Sequence, residues 1–208
     1  FSQSDDLKCR ELTVAGTRCV FCYIDGGTDK LLLEQNIILP LRNTAEFGPP
    51  YLDALNATVT YSEDITMLPV SNCAGAVAEG DVAFMIDGED VSYVFSLRKP
   101  EKRAVAEPPT SSVLKGPREG FIEDLKTNMF LIRRRLATPK LTFELLNVGK
   151  YTQTKVAIGF IDGVADQQLV NRIKTQIKNI VIDGVIESSY IARYLEENKF
   201  SLFSHVGS

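Results

Sequence analysis

Carboxylates, thiols and guanidinium groups are what this chain offers for chemistry, and their spacing narrows what that chemistry is. Asp25 lies in the phrase CYIDGGTD (Cys22 to Asp29) and Asp162 in GFIDGVAD (Gly159 to Asp166), 137 positions apart. From Thr17 and Thr154 the match runs thirteen positions, TRCVFCYIDGGTD against TKVAIGFIDGVAD, with five identical. Carboxylates at the carboxyl ends of strands are placed to hold an amino group or sugar hydroxyls, and open α/β sheets bind ligands at that end. Asp25, Asp162 and Asp166 are therefore candidate ligand-binding residues. The structural alternative is favoured. Asp accepts backbone N–H groups in a turn, glycine permits a positive φ, and the final Asp of each phrase caps a helix. Ile86-Asp87-Gly88 and Ile182-Asp183-Gly184 repeat the turn chemistry. Only the thirteen-residue match hints at two units built on one plan.

Catalysis finds little to work with. A nucleophilic triad or a Cys–His pair needs a base, and the single histidine, His205, stands in a tail of small residues. There is no phosphate-cradling G-x-x-x-x-G-K-[ST], and no G-x-G-x-x-G follows a strand. No catalytic residue, cofactor or metal is assigned, and the chain is read as a non-enzyme. Cys19 and Cys22 form a C-x-x-C, but CVFCYI reads as a strand, where residues three apart point to opposite faces. Buried thiols are expected for the four cysteines, Cys9, Cys19, Cys22 and Cys73, rather than a metal or disulfide site. Arg133-Arg134-Arg135 is the sharpest charge run. Three consecutive helical positions fan over about 200° and do not converge on one phosphate. A solvated face is favoured over a partner or lipid contact.

These groups must be positioned by regular elements. Leu12 to Val14 and Arg18 to Ile24 read as strands around Ala15-Gly16, the second apolar on both faces. Asp29 caps a helix over Lys30 to Asn36, and Pro40 ends that segment. Short helices are expected at Tyr51 to Ala57 and Ser71 to Glu79, and a hairpin around Gly88 over Asp81 to Leu97. An amphipathic helix covers Phe121 to Leu136, with Phe121, Ile122, Leu125, Met129, Ile132 and Leu136 on its apolar face. Strands Leu141 to Val148 and Lys155 to Asp162 flank Gly149, and Asp166 caps a helix facing inward through Leu169, Val170, Ile173, Ile177 and Ile180. A short strand around Asp183-Gly184 and a last helix capped by Ser188 complete the reading.

The fold class is α/β, in the mixed α+β sense: two small α/β subdomains, each with a strand–IDG turn–helix unit. Arg98 to Gly120 holds four of the nine prolines and few large apolar residues, so it reads as a linker. The subdomains are placed at 1–105 and 119–208, with the linker at 106–118. A net charge of −4 gives no reason to expect nucleic acid. No apolar run approaches the roughly 18 residues needed to cross a bilayer. The chain starts on Phe rather than Met, so a fragment of a longer protein is expected.

Several phrases together resemble one family. GPREGF at Gly116 to Phe121, TNMFLIRRRL at Thr127 to Leu136, the strand–IDG–helix unit, and IDGVIESSYI at Ile182 to Ile191 are similar to the A-subunit family of bacterial spore germinant receptors. YIDG at Tyr23, ILPL at Ile38 and GDVAFMIDG at Gly80 extend the resemblance more loosely into the first half. It implies a soluble N-terminal region of two α/β subdomains ahead of a membrane domain that this chain does not include. The implied partners are B and C subunits, further A subunits as a homo-oligomer, and a small-molecule germinant. The implied location is the inner spore membrane, with this region on the spore-core side. The implied work is nutrient-triggered signalling through assembly and coupling. Arg118, Glu119, Asn128, Arg133 and Arg135 are the expected coupling or interface residues, with Arg133 and Arg135 expected to be replaceable without unfolding. Direct binding of an amino acid, sugar or nucleoside is the rival reading.

Overall fold

The computed structural model describes residues 4–61, 63–99 and 121–184, with Ile191, Tyr194 and Leu195. The chain divides into two compact units, Phe1–Pro139 and Lys140–Ser208.

In the first unit, β1 (Leu7–Val14) and β2 (Thr17–Ile24) pair in full register from Leu7↔Ile24 to Val14↔Thr17. The two residues between them, Ala15 and Gly16, both have positive φ (45° and 89°). That is the backbone of a two-residue hairpin loop whose twist matches the strands. The Asp29 side chain accepts from the N–H groups of Leu31 and Leu32 and caps α1 (Lys30–Leu32). The helix does not stop at Pro40. It widens into a π-helical stretch, Leu33–Ile38, and continues as α2 (Leu39–Asn43). Pro40 is the second residue of α2, just after the widened stretch. Then come α3 (Tyr51–Thr58), β3 (Thr66–Pro69), α4 (Cys73–Ala78), and the hairpin of β4 (Val82–Ile86) and β5 (Val91–Phe95) around Gly88. The sheet is antiparallel, in the order β1-β2-β4-β5-β3.

Residues alternate between the two faces of this sheet. On one face Phe21 and Phe84 stack directly opposite each other, with ring centres 4.5 Å apart. They join Leu33, Ile37, Ile38, Leu41 and Leu55 from the helices in the main core. The other face presents Ile24 and Ala83, which pack with Cys73 and Val77 of α4 and with Phe130. Phe130 belongs to α5 (Leu125–Arg135), which starts after an Asp124 cap and so is shorter than its apolar pattern predicts.

Helix α5 therefore belongs to the first unit, and the division falls at Pro139/Lys140 rather than within 106–118. The described residues flanking the proline-rich segment both lie in the first unit. Arg98 is held by Asp81 at 2.7 and 2.9 Å and by Glu79 at 2.8 Å, and the Lys99 N–H donates to the Gly27 carbonyl. Farther on, Asn128 grips the backbone N–H and carbonyl of Ile122. Composition marks a stretch with little core to offer, but it does not say which unit its ends belong to. The segment itself, residues 100–120, lies outside the described residues.

In the second unit, β6 (Leu141–Val148) and β7 (Thr154–Ile161) pair in full register, and α6 (Gln167–Lys178) starts at an Asp166 cap. Ile177 and Ile180 close on Val148, Leu146, Val156 and Ile158. Leu169, expected inward, is exposed. Residues 181–184 form no strand, though the Ile182 and Asp183 carbonyls accept from Lys150 and Tyr151. The expected last helix lies almost wholly outside the described residues.

Candidate functional site

The repeated phrase folds the same way twice. In each copy the Asp N–H donates to the carbonyl just ahead of the neighbouring strand, Asp25 to Asp6 and Asp162 to Lys140. In each copy two N–H groups converge on the carbonyl of the preceding Ile, from Gly27 and Thr28 to Ile24, and from Val164 and Ala165 to Ile161. The glycine after Asp has positive φ in both (Gly26 102°, Gly163 76°), and the final Asp caps the helix. Hairpin, turn and helix form one ββα frame used once in each unit.

Within the turn the copies differ at two positions: Gly27 and Thr28 in the first are matched by Val164 and Ala165 in the second. A Cβ on Gly27 would overlap the Phe130 ring, and one on Gly80 would stand 2.8 Å from it. A Cβ on Gly26 would stand 2.6 Å from the Lys126 carbonyl oxygen. The first turn is thus cut away to seat α5. Gly163 has open space where a Cβ would go, and Val164 is 76% exposed.

Three residues on one stripe of α5 engage that seat: Lys126, Phe130 and Arg133, at helical steps of four and three. Phe130 fills the slot over Gly27 and Gly80. Lys126 Nζ lies 2.8 Å from Asp25, whose other carboxylate oxygen meets Lys30 Nζ at 2.5 Å. Arg133 is fully buried. Its Nε and Nη2 donate to the two carboxylate oxygens of Asp6 at 2.9 Å each, and Ser4 Oγ donates to the same carboxylate. A planar guanidinium suits this two-point match as no lysine does. Burial alone would push the Asp25 carboxyl up, but the hydrogen bonds from Lys126 and Lys30 outweigh it and hold it below the usual carboxylate range. The Asp25 bond in turn raises Lys126 above the usual lysine range.

The structure sorts the expected residues as follows. Asp25 is buried and engaged by two lysines, which leaves its carboxylate committed within the unit. Asp162 and Asp166 are exposed in the second unit, Asp166 serving as a cap. Arg133 is an internal clamp and not part of a solvated face, while Arg134 and Arg135 are exposed. Asn128 supports Ile122. Arg118 and Glu119 lie outside the described residues. Asp6, Lys126, Phe130, Gly27 and Gly80 were missed. The available signal was the doubled glycine of the first phrase, set against the glycine–valine of the second.

The cysteines also differ from expectation. Cys19 and Cys22 do face opposite sides of β2, and Cys19 is a buried thiol pushed up to about 11 by burial. Cys22, however, stands opposite Cys9 in the register and is disulfide-bonded to it. A C-x-x-C read alone hides a partner on the neighbouring strand.

Known proteins place this frame. Across residues 1–208 the chain matches the family described as Bacillus/Clostridium GerA spore germination protein. The chain belongs to the GerA family. It is 30% identical over 206 residues to the spore germination protein GerLA of Bacillus cereus, covering 96% of this chain and 41% of that protein. It is 30% identical over 200 residues to the uncharacterized membrane protein YfkQ of Bacillus subtilis (strain 168), covering 95% and 39%. It spans about two fifths of the length of such curated relatives. In fold it is similar to the crystal structure of the N-terminal domain of the A subunit of the Bacillus megaterium spore germinant receptor GerK3. There the TM-score is 0.66 at 20% identity, over 94% of this chain and 73% of that one. Among the described residues, no helix of this GerA-family chain is long and apolar enough to cross a membrane.

Proposed function

We propose that this chain is the N-terminal region of a spore germinant receptor A subunit, and that it transmits a germination signal rather than performing chemistry. Helix α5 carries the reading. It is gripped by side chains and glycines of the first frame, and only Leu136 to Pro139 separate it from the second unit. A change in either unit is delivered to the other through the attachment of α5. The parent protein adds a membrane domain beyond this region, B and C subunits and further A subunits are its partners, and the assembly lies in the inner spore membrane with this region toward the spore core.

Arg133 does not test this reading, because losing one member of its buried pair with Asp6 is expected to disturb folding. Lys126 does: its side chain is about half exposed, yet it bonds Asp25. Spores whose full-length receptor carries Lys126→Glu are expected to germinate several-fold more slowly in the cognate nutrient, with unchanged receptor content on immunoblots. Wild-type germination rates in that variant would remove α5 from the signalling path.

A second reading, direct binding of a small molecule, draws support from a different place than the repeated aspartates. The sheet face that carries α4 and α5 is open at its other end. There Glu11, Thr13, Arg18, Val20, Met85 and Asp87 line a groove of about 370 Å³. Arg18 offers a carboxylate partner, Glu11 and Asp87 offer ammonium partners, and Val20 and Met85 give an apolar floor. Amide shifts clustered at Arg18 and Asp87 on titration with amino acids support this role, and a flat response removes it.

A further inference from the structure

The Cys9–Cys22 disulfide has no part in the reading above, and its position gives it one. Cys9 is exposed and Cys22 half-buried, on the same sheet face as Leu7, Ile24 and the α5 seat. Their Cα atoms are 4.3 Å apart, the spacing of directly opposed residues in a non-hydrogen-bonded pair. Two register steps along, Leu7 faces Ile24, and beyond that pair the Asp25 N–H donates to the Asp6 carbonyl. Those two aspartates hold Arg133 and Lys126. The disulfide therefore staples the end of the hairpin that grips α5.

We propose that Cys9–Cys22 is a thiol–disulfide exchange site, and that its redox state sets how firmly the first unit holds α5. The reductant is a dithiol, whether a small molecule or a protein with a C-x-x-C. One of its thiolates attacks the exposed Cys9 sulfur, the Cys9–Cys22 bond breaks, and Cys22 leaves with the electron pair and takes a proton. The second thiolate then attacks the mixed disulfide. Cys9 is released as a thiol, and the dithiol closes to its own disulfide. Two electrons reach the protein and two cysteines are freed. Access favours this pair, because Cys19 and Cys73 are buried. Reduction opens a cross-link between residues 13 apart in sequence and removes its constraint from the hairpin. The proposal stands on the α5 seat and is independent of the germination reading.

The test uses the 208-residue chain with and without dithiothreitol. Thiols are counted by iodoacetamide labelling, and α5 is followed by amide hydrogen exchange. Without reductant, Cys9 and Cys22 are expected to resist labelling. With it, both are labelled, and α5 amides exchange on the order of tenfold faster. The Cys9→Ser/Cys22→Ser variant is expected to exchange at the reduced rate and to ignore dithiothreitol. If that variant does not fold, the comparison within the unaltered chain still decides. Labelling of Cys9 and Cys22 before reduction, or α5 exchange unmoved by complete reduction, would overturn the proposal.

Discussion

Arg133 shows how much one residue's setting outweighs its type. Among three consecutive arginines only the first lies on the stripe that meets the strand ends, and it is buried against Asp6. Removing one member of a buried pair leaves the other uncompensated, at a cost of about 3–5 kcal/mol. Arg133→Met or Asp6→Leu alone is expected to lower stability by that amount in urea unfolding. The double variant, with an apolar pair, is expected to regain most of it. At Asp25 the prediction concerns pH. A carboxyl held low in the folded state contributes stability that is present above its ordinary value and lost as pH falls through the lower folded one. Lys126, held high, contributes below its ordinary value and loses that contribution as pH rises through its folded one. The hold on α5 is then fullest between about pH 4 and pH 10. In thermal melts, the deficit of Asp25→Asn against the unaltered chain is expected at neutral pH and should vanish on acidification. Sequence reading could find the three arginines and Asp25. It could not pair them, because the partners lie 127 and 101 positions away along the chain and only folding brings them together.

At the scale of elements, local chemistry spoke clearly wherever a turn or a cap decided the outcome. Asp29 and Asp166 cap their helices as their positions suggest, and the Gly88 and Gly149 hairpins form. Strand β3 was not legible: Thr66 to Pro69 is short, and three of its four residues are exposed, so no apolar alternation announces it. Helix α5 misled for the opposite reason. Its apolar residues suggested one buried face, yet Phe121, Ile122 and Leu136 are exposed while a lysine and an arginine help to seat it. The β1–β2 loop gives a prediction of its own. Ala15 holds a positive φ that Asn or Gly adopts more readily. Ala15→Asn is expected to raise the urea midpoint, by about 0.5–1 kcal/mol in stability, without altering the hairpin register.

For the whole chain, the repeated phrase points to one plan used twice, and the two compact units divide at Pro139/Lys140, beyond the proline-rich segment. Two ββα frames are present, and the thirteen matching positions map strand onto strand and cap onto cap. The division at Pro139/Lys140 depends on α5, whose attachment is carried by single side chains and three glycines and by no composition signal. A chain of residues 1–139 is expected to unfold in one cooperative step. One of residues 1–99, lacking α5, leaves Ile24 and Ala83 without the Phe130 cover and is expected to be less stable by several kcal/mol. Calorimetry on both would check the boundary.

The order of contacts along α5 has a mechanical meaning. The second unit is tethered beyond Arg133, in the last turn of the helix, and Phe130 and Lys126 follow toward the other end. A pull from Lys140 across the helix axis would load the Arg133–Asp6 fork first, with the aromatic plug and the outer lysine still unloaded. Detachment under such a pull would proceed like peeling, one fastening at a time, with a threshold force set by the strongest fastening. Below that threshold small displacements are absorbed without release; above it the remaining contacts give way in turn.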